Sequence, residues 1–142
     1  MADLTVGCPY CGNAAELVDS SEVYSRSYGM MWLCRSCKAY VGTHRDSKKH
    51  KPLGTLANAE LRGLRKRVHA ELDPIWELLI EQTNCAKHLA RNGAYSWLAG
   101  LMGIPVGSCH IAMFDVNECR AALTICAQYW AGEIEGPTIR SR

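Results

Sequence analysis

The sequence has no apolar run approaching a membrane span, no phosphate-binding glycine loop, no nucleophile motif, and no internal repeat or low-complexity tract. A membrane-crossing helix needs about 20 consecutive apolar residues, so none is expected. Without a repeat there is no solenoid, and without a phosphate loop or an activated nucleophile the usual signatures of nucleotide hydrolysis and covalent catalysis are missing. A large excess of either charge is also missing, since 16 Lys and Arg against 14 Asp and Glu leave a net +2. The first residues, Met1-Ala2-Asp3-Leu4, lack the basic stretch and apolar run of a secretory signal, which predicts a cytosolic protein.

What the chain does have is cysteine, eight in 142 residues. Two pairs have the spacing of metal knuckles: Cys8-Pro9-Tyr10-Cys11-Gly12 and Cys34-Arg35-Ser36-Cys37, separated by 22 residues. Two residues between thiolates let the backbone turn around a tetrahedral ion with its N–H groups aimed at the sulfurs. Gly12 supplies the positive φ that such a turn often needs. A reducing cytosol disfavours disulfides, and the paired knuckles favour metal over a redox dithiol. The expected cofactor is one structural Zn²⁺ held by Cys8, Cys11, Cys34 and Cys37. Four protein ligands leave no open position for water, which argues against hydrolysis at the ion.

Around the knuckles, Ala14–Val18, Tyr28–Leu33 and Ala39–Val41 read as three short strands. From Arg45 the chain turns polar and basic up to Pro52 and Gly54, which reads as a linker or exposed loop. Leu61, Leu64, Val68 and Leu72 then form one apolar stripe of a helix capped by Thr55 or Asn58. Asp73-Pro74 is expected to end it and start a second helix over Ile75–Gln82. A third is expected over Ala94–Met102, ended by Gly103, and a fourth from Val116 to about Tyr129, opened by a capping box of Asp115 and Glu118. The expected fold class is α+β, with a β-rich zinc ribbon over residues 1–44 and a basic linker over 45–54. A helical domain over 55–131 follows, packing Trp76, Trp97, Leu101 and Phe114, and the tail at 132–142 is expected to be poorly ordered.

The charge is unevenly spread. Residues 1–40 carry a net −1, residues 41–70 a net +6 and residues 71–142 a net −3. Arg35, Lys38, Arg45, Lys48, Lys49, Lys51, Arg62, Arg65 and Lys66 are therefore candidate phosphate contacts. Tyr10, Tyr24, Tyr28, Trp32 and Tyr40 offer surfaces on which unpaired bases can stack. The competing reading is a solvated helix face, with the aromatics packed around the metal. A second metal site would need Cys85 and His88 to meet Cys109, His110 or Cys119, which share no knuckle spacing. Cys119 and Cys126 are expected in the core. His69 and Asp73 stand one helical turn apart, an arrangement used by general bases, and His44 would join them if the linker folded back. No further catalytic motif accompanies them, and the expectation is a protein without catalytic activity.

The chain from Cys8 to about Ile125 resembles a family of small phage and prophage proteins with a zinc-finger-containing domain. The resemblance rests on Cys8–Gly12, Trp32–His44, Pro52–Ala57 and Cys109–Asp115, with Ala112 standing where the family pattern has Gly. It implies phage origin, action in the bacterial host cytoplasm and an N-terminal zinc ribbon, and it supplies no established activity. The expected function is non-catalytic nucleic-acid binding through a basic face. The alternative is a protein-binding phage factor that modulates a host polymerase, nuclease or defence protein.

Overall fold

The computed structural model describes residues 4–139. The chain divides into two compact units, one up to Arg62 and one from Gly63 onward.

In the first unit, β1 (Glu16–Asp19), β2 (Met30–Cys34) and β3 (Ala39–Gly42) form an antiparallel sheet in chain order. Side chains on successive residues point to opposite faces, so the register sorts them. Leu17 pairs with Trp32 and Trp32 with Val41, while Cys34 pairs with Ala39. These share a face with Cys8 and Leu56. Val18 pairs with Met31 and Leu33 with Tyr40, and these lie on the opposite face.

Of the linker or exposed loop that the composition allows, residues 45–54 form the loop, and they lie inside the first unit. Thr43 bridges Pro52 and Tyr40 bridges Ala57, both antiparallel. The Leu53 N–H donates to Gly42 O at 2.9 Å, the His44 N–H donates to Lys51 O at 2.8 Å, and Trp32 Nε1 donates to His50 O at 2.7 Å. The basic stretch is thus a loop whose two ends are bonded to the sheet. Backbone hydrogen bonding holds it, and that leaves no trace in side-chain periodicity. The division between units falls instead inside the first helix.

That helix, α1 (Ala59–Thr83), runs without a break through Pro74, where the sequence predicts two helices. An interior proline costs about 3 kcal/mol through a lost hydrogen bond and a steric clash. Leu72, Ile75, Trp76 and Leu79 are all buried on one stripe that spans it, and each such side chain contributes about 1.5–3 kcal/mol. Burial outweighs the proline. At the start, Asn58 Oδ1 accepts the Leu61 N–H at 3.0 Å, which makes Asn58 the cap.

The second unit continues with α2 (Lys87–Met102) and α3 (Val116–Trp130), joined by short 3-10 turns. Gly103, at φ 73°, ends α2, with Ile104 N–H bonding back to Ala99 O at 3.0 Å. The capping box of α3 is formed in both directions, Glu118 N–H to Asp115 Oδ1 at 2.8 Å and Asp115 N–H to Glu118 Oε1 at 3.0 Å. Trp76 and Phe114 are buried as expected, but Leu101 is 49% exposed and Trp97 only half-buried. Small residues (Ala90, Ala94, Ala99, Ala122, Cys119, Cys126) fill much of the interior.

The last described residues pack, contrary to the expected loose tail. Trp97 Nε1 donates to Glu135 O at 2.9 Å, Pro137 is buried, and Gly136 approaches the Tyr129 ring so closely that a Cβ there would lie 2.5 Å from Cε1. Residues 140–142 of that tail lie outside the described residues.

Candidate metal centre

The two knuckles come from different parts of the ribbon. Cys8 and Cys11 sit on the turn that precedes β1, held by Gly12 N–H to Cys8 O and Cys8 N–H to Asn13 O, both at 2.8 Å. Cys34 ends β2, and Cys37 precedes β3 in the turn between them. Pairing of Cys34 with Ala39 fixes that turn. Each knuckle is followed by a residue in the left-handed region: Gly12 at φ 78° and Lys38 at φ 55°. The sequence suggests only the first, because lysine gives no conformational signal.

The four sulfurs lie within 4.8 Å of one another, and Cys11 Sγ is 3.7 Å from Cys34 Sγ. A zinc–thiolate tetrahedron with bonds of about 2.3 Å has an edge of about 3.8 Å, so the spacing fits that ion. Cys8 and Cys34 are buried, Cys37 is half-buried and Cys11 is exposed.

The thiols feel each other strongly. Burial pushes Cys8 up, but the N–H groups of Tyr10 and Cys11 and the Cys34 and Cys11 thiols outweigh it, lowering its pKa to about 7. Burial and then the Cys11, Cys8 and Cys34 side chains push Cys37 up to about 12. Four clustered thiols cannot all ionise without a cation. A zinc ion removes that conflict by binding all four as thiolates, and it supplies structural cross-linking there.

Among the described residues no other group of three or more His, Cys, Asp or Glu side chains comes together for a metal. Cys85, His88, Cys109, His110 and Cys119 are thus not brought together as such a group. Cys109, Cys119 and Cys126 are buried, and burial raises all three thiols.

The candidate cations separate into two sets. Arg45, Lys48, Lys49 and Lys51 are exposed on the anchored loop, Lys38 is exposed beside its knuckle, and Lys66 is exposed on α1. The arginines are more committed. Arg35 bonds Glu16 and Glu22 at 2.8 Å each. Arg62 donates to Ala57 O at 2.6 Å and lies 4.0 Å from the Tyr40 ring centroid. Arg65 is only 9% exposed and donates Nε to Phe114 O at 3.0 Å, so it is an interior tie between α1 and the turn before α3. It is not the phosphate contact that the charge count suggests, because its long stem is apolar enough to be covered while its head finds a carbonyl.

Of the aromatics, Trp32 is buried and unavailable to a base, while Tyr10 accepts the Asn58 N–H at 3.1 Å. His69 Nδ1 is 3.9 Å from Asp73 Oδ1, beyond hydrogen-bond length. Asp73 Oδ1 accepts instead from Trp76 Nε1 at 2.9 Å.

The three antiparallel strands and the four-thiol cluster define a zinc ribbon followed by a helical unit. Residues 4–129 match the family described as a zinc-finger-containing domain, and the chain belongs to that family. No curated protein and no solved structure matches the chain. No helix among the described residues is long and apolar enough to cross a membrane.

Proposed function

We propose that the protein binds nucleic acid without catalysis, with Arg45, Lys48, Lys49 and Lys51 taking backbone phosphates and Lys38 adding charge. The observation that carries this reading is the anchoring of the basic loop. Four exposed cations stand on a backbone bonded at both ends to the zinc-held sheet. Cations on an ordered loop lose less entropy on binding than cations on a free linker. The exposed cations of this loop provide the attraction, and the structural zinc provides the frame. On the family resemblance, the setting is the cytoplasm of a phage-infected bacterium.

The test is binding of the zinc-loaded protein to single- and double-stranded DNA and RNA across a salt series, beside a variant with Arg45, Lys48, Lys49 and Lys51 changed to Ala. The reading expects log affinity to fall with log salt by about 0.7–0.9 per phosphate contact, and the variant to flatten that slope. Absence of binding to every nucleic acid at low salt sinks it. The acidic balance of residues 71–142 permits the second reading, a host protein partner. A lysate pull-down with and without nuclease checks that.

A further inference from the structure

The loop between β1 and β2 holds an aromatic ring in solvent above an ordered backbone. Tyr28 is 69% exposed, more than any other large apolar or aromatic side chain among the described residues. Its N–H nevertheless donates to Ser20 Oγ at 2.7 Å, and Ser20 is buried, with its own N–H on Gly29 O at 2.8 Å. Asp19 ties down the rest of the loop, accepting the Ser21 N–H at 2.8 Å and the Ser27 hydroxyl at 3.0 Å.

The ring has neighbours of a particular kind. Tyr24 meets Tyr28 edge to face at 5.6 Å, and the Arg26 guanidinium lies 5.2 Å from the Tyr28 centroid. Tyr24 packs on Tyr40 at 5.8 Å and donates its hydroxyl to that of Tyr40 at 3.2 Å, and Arg62 covers Tyr40. Three rings and two guanidinium groups thus continue the sheet face that carries Val18, Met31 and Leu33. This face is opposite the one holding Cys34.

An exposed ring on an ordered backbone, with a planar cation over one face, suits a flat π ligand that carries negative charge. A nucleobase with its phosphate is such a ligand, and in a duplex the faces of the bases are covered by their neighbours. We propose that Tyr28 is a stacking site for an unpaired base, with Arg26 on the adjoining phosphate, so that the ligand class is single-stranded nucleic acid. The proposal rests on the nucleic-acid reading above and specifies which strands it selects.

The experiment measures fluorescence anisotropy of labelled oligo-dT, oligo-U, an abasic oligonucleotide of equal length and a duplex with the zinc-loaded full chain. The chain carries Tyr28→Ala, Tyr28→Phe or the four loop substitutions, and zinc content verifies that each variant is folded. Tyr28→Ala is expected to weaken oligo-dT or oligo-U binding roughly five- to a hundredfold, to spare the abasic strand, and to be rescued by Tyr28→Phe. Equal loss on the abasic strand, or no loss on either base-bearing strand, overturns the stacking site. If loop-dependent, salt-sensitive binding persists in that case, the broader reading stands without it. No binding to any of the four probes overturns both.

Discussion

Lys38 occupies the same place after the second knuckle that Gly12 occupies after the first, and both have left-handed backbones. A side chain there costs about 1–2 kcal/mol that glycine avoids. Lys38→Gly is therefore expected to slow zinc loss to a chelator, whereas Lys38→Ala, which removes the same charge, is not. Zinc release followed by a colorimetric indicator separates the two. Cys34→Ser is expected to abolish stoichiometric zinc retention, because a three-thiolate remnant leaves the ion open to water; metal analysis reads it directly. At Arg65, removal of the Nε donor leaves Phe114 O buried without that partner. Arg65→Met is expected to lower unfolding free energy by about 1–3 kcal/mol in urea titration. Nucleic-acid affinity should be unchanged, since the side chain is interior.

At the scale of elements, the strands and zinc ligands were legible because alternation and knuckle spacing are local patterns, and both appear where expected, as with Met30–Cys34 and the Cys34-to-Cys37 turn. The capping box at Asp115 was legible for the same reason. The closing of residues 45–57 onto β3 was not, because it depends on main-chain bonds between Tyr40 and Ala57 that any residue but proline makes. The order at Gly136-Pro137 is likewise a matter of fit, glycine against the Tyr129 ring, without apolar periodicity. Pro74 misled for a different reason: a local preference for breaking lost to the burial of residues on either side. Pro74→Ala is thus expected to raise stability by about 1–3 kcal/mol, since it restores a helix hydrogen bond and the position is exposed. A higher urea midpoint at unchanged helical circular dichroism is the expected result.

For the whole molecule, two units imply two responses. Cys8 and Cys34 belong to the apolar cluster of the first unit, so removal of zinc loosens that core itself. Excess chelator is expected to abolish amide protection in β1–β3 while leaving protection in α2 and α3, measured by hydrogen exchange. Alkali should act on the other unit. Burial, reinforced by the charges of Glu118 and Glu71, pushes Cys109 and Cys126 up to about 11, above the ordinary 9.0 of a thiol. The folded unit holds these protons more tightly than the unfolded chain does. Its stability is accordingly full below about pH 9 and declines as pH rises towards about 11. Urea midpoints that stay flat across that window would contradict the burial of these thiols.

All four zinc ligands precede residue 38, whereas the segment that closes the basic loop onto β3 ends at Ala57 and α1, α2 and α3 come later. Chains are made from the N-terminus, and early segments begin to fold before late ones exist. The ion can therefore be captured during synthesis, setting the sheet's register before the lysine-bearing loop arrives to join it. Without the ion, the same four thiols are left free for oxidation.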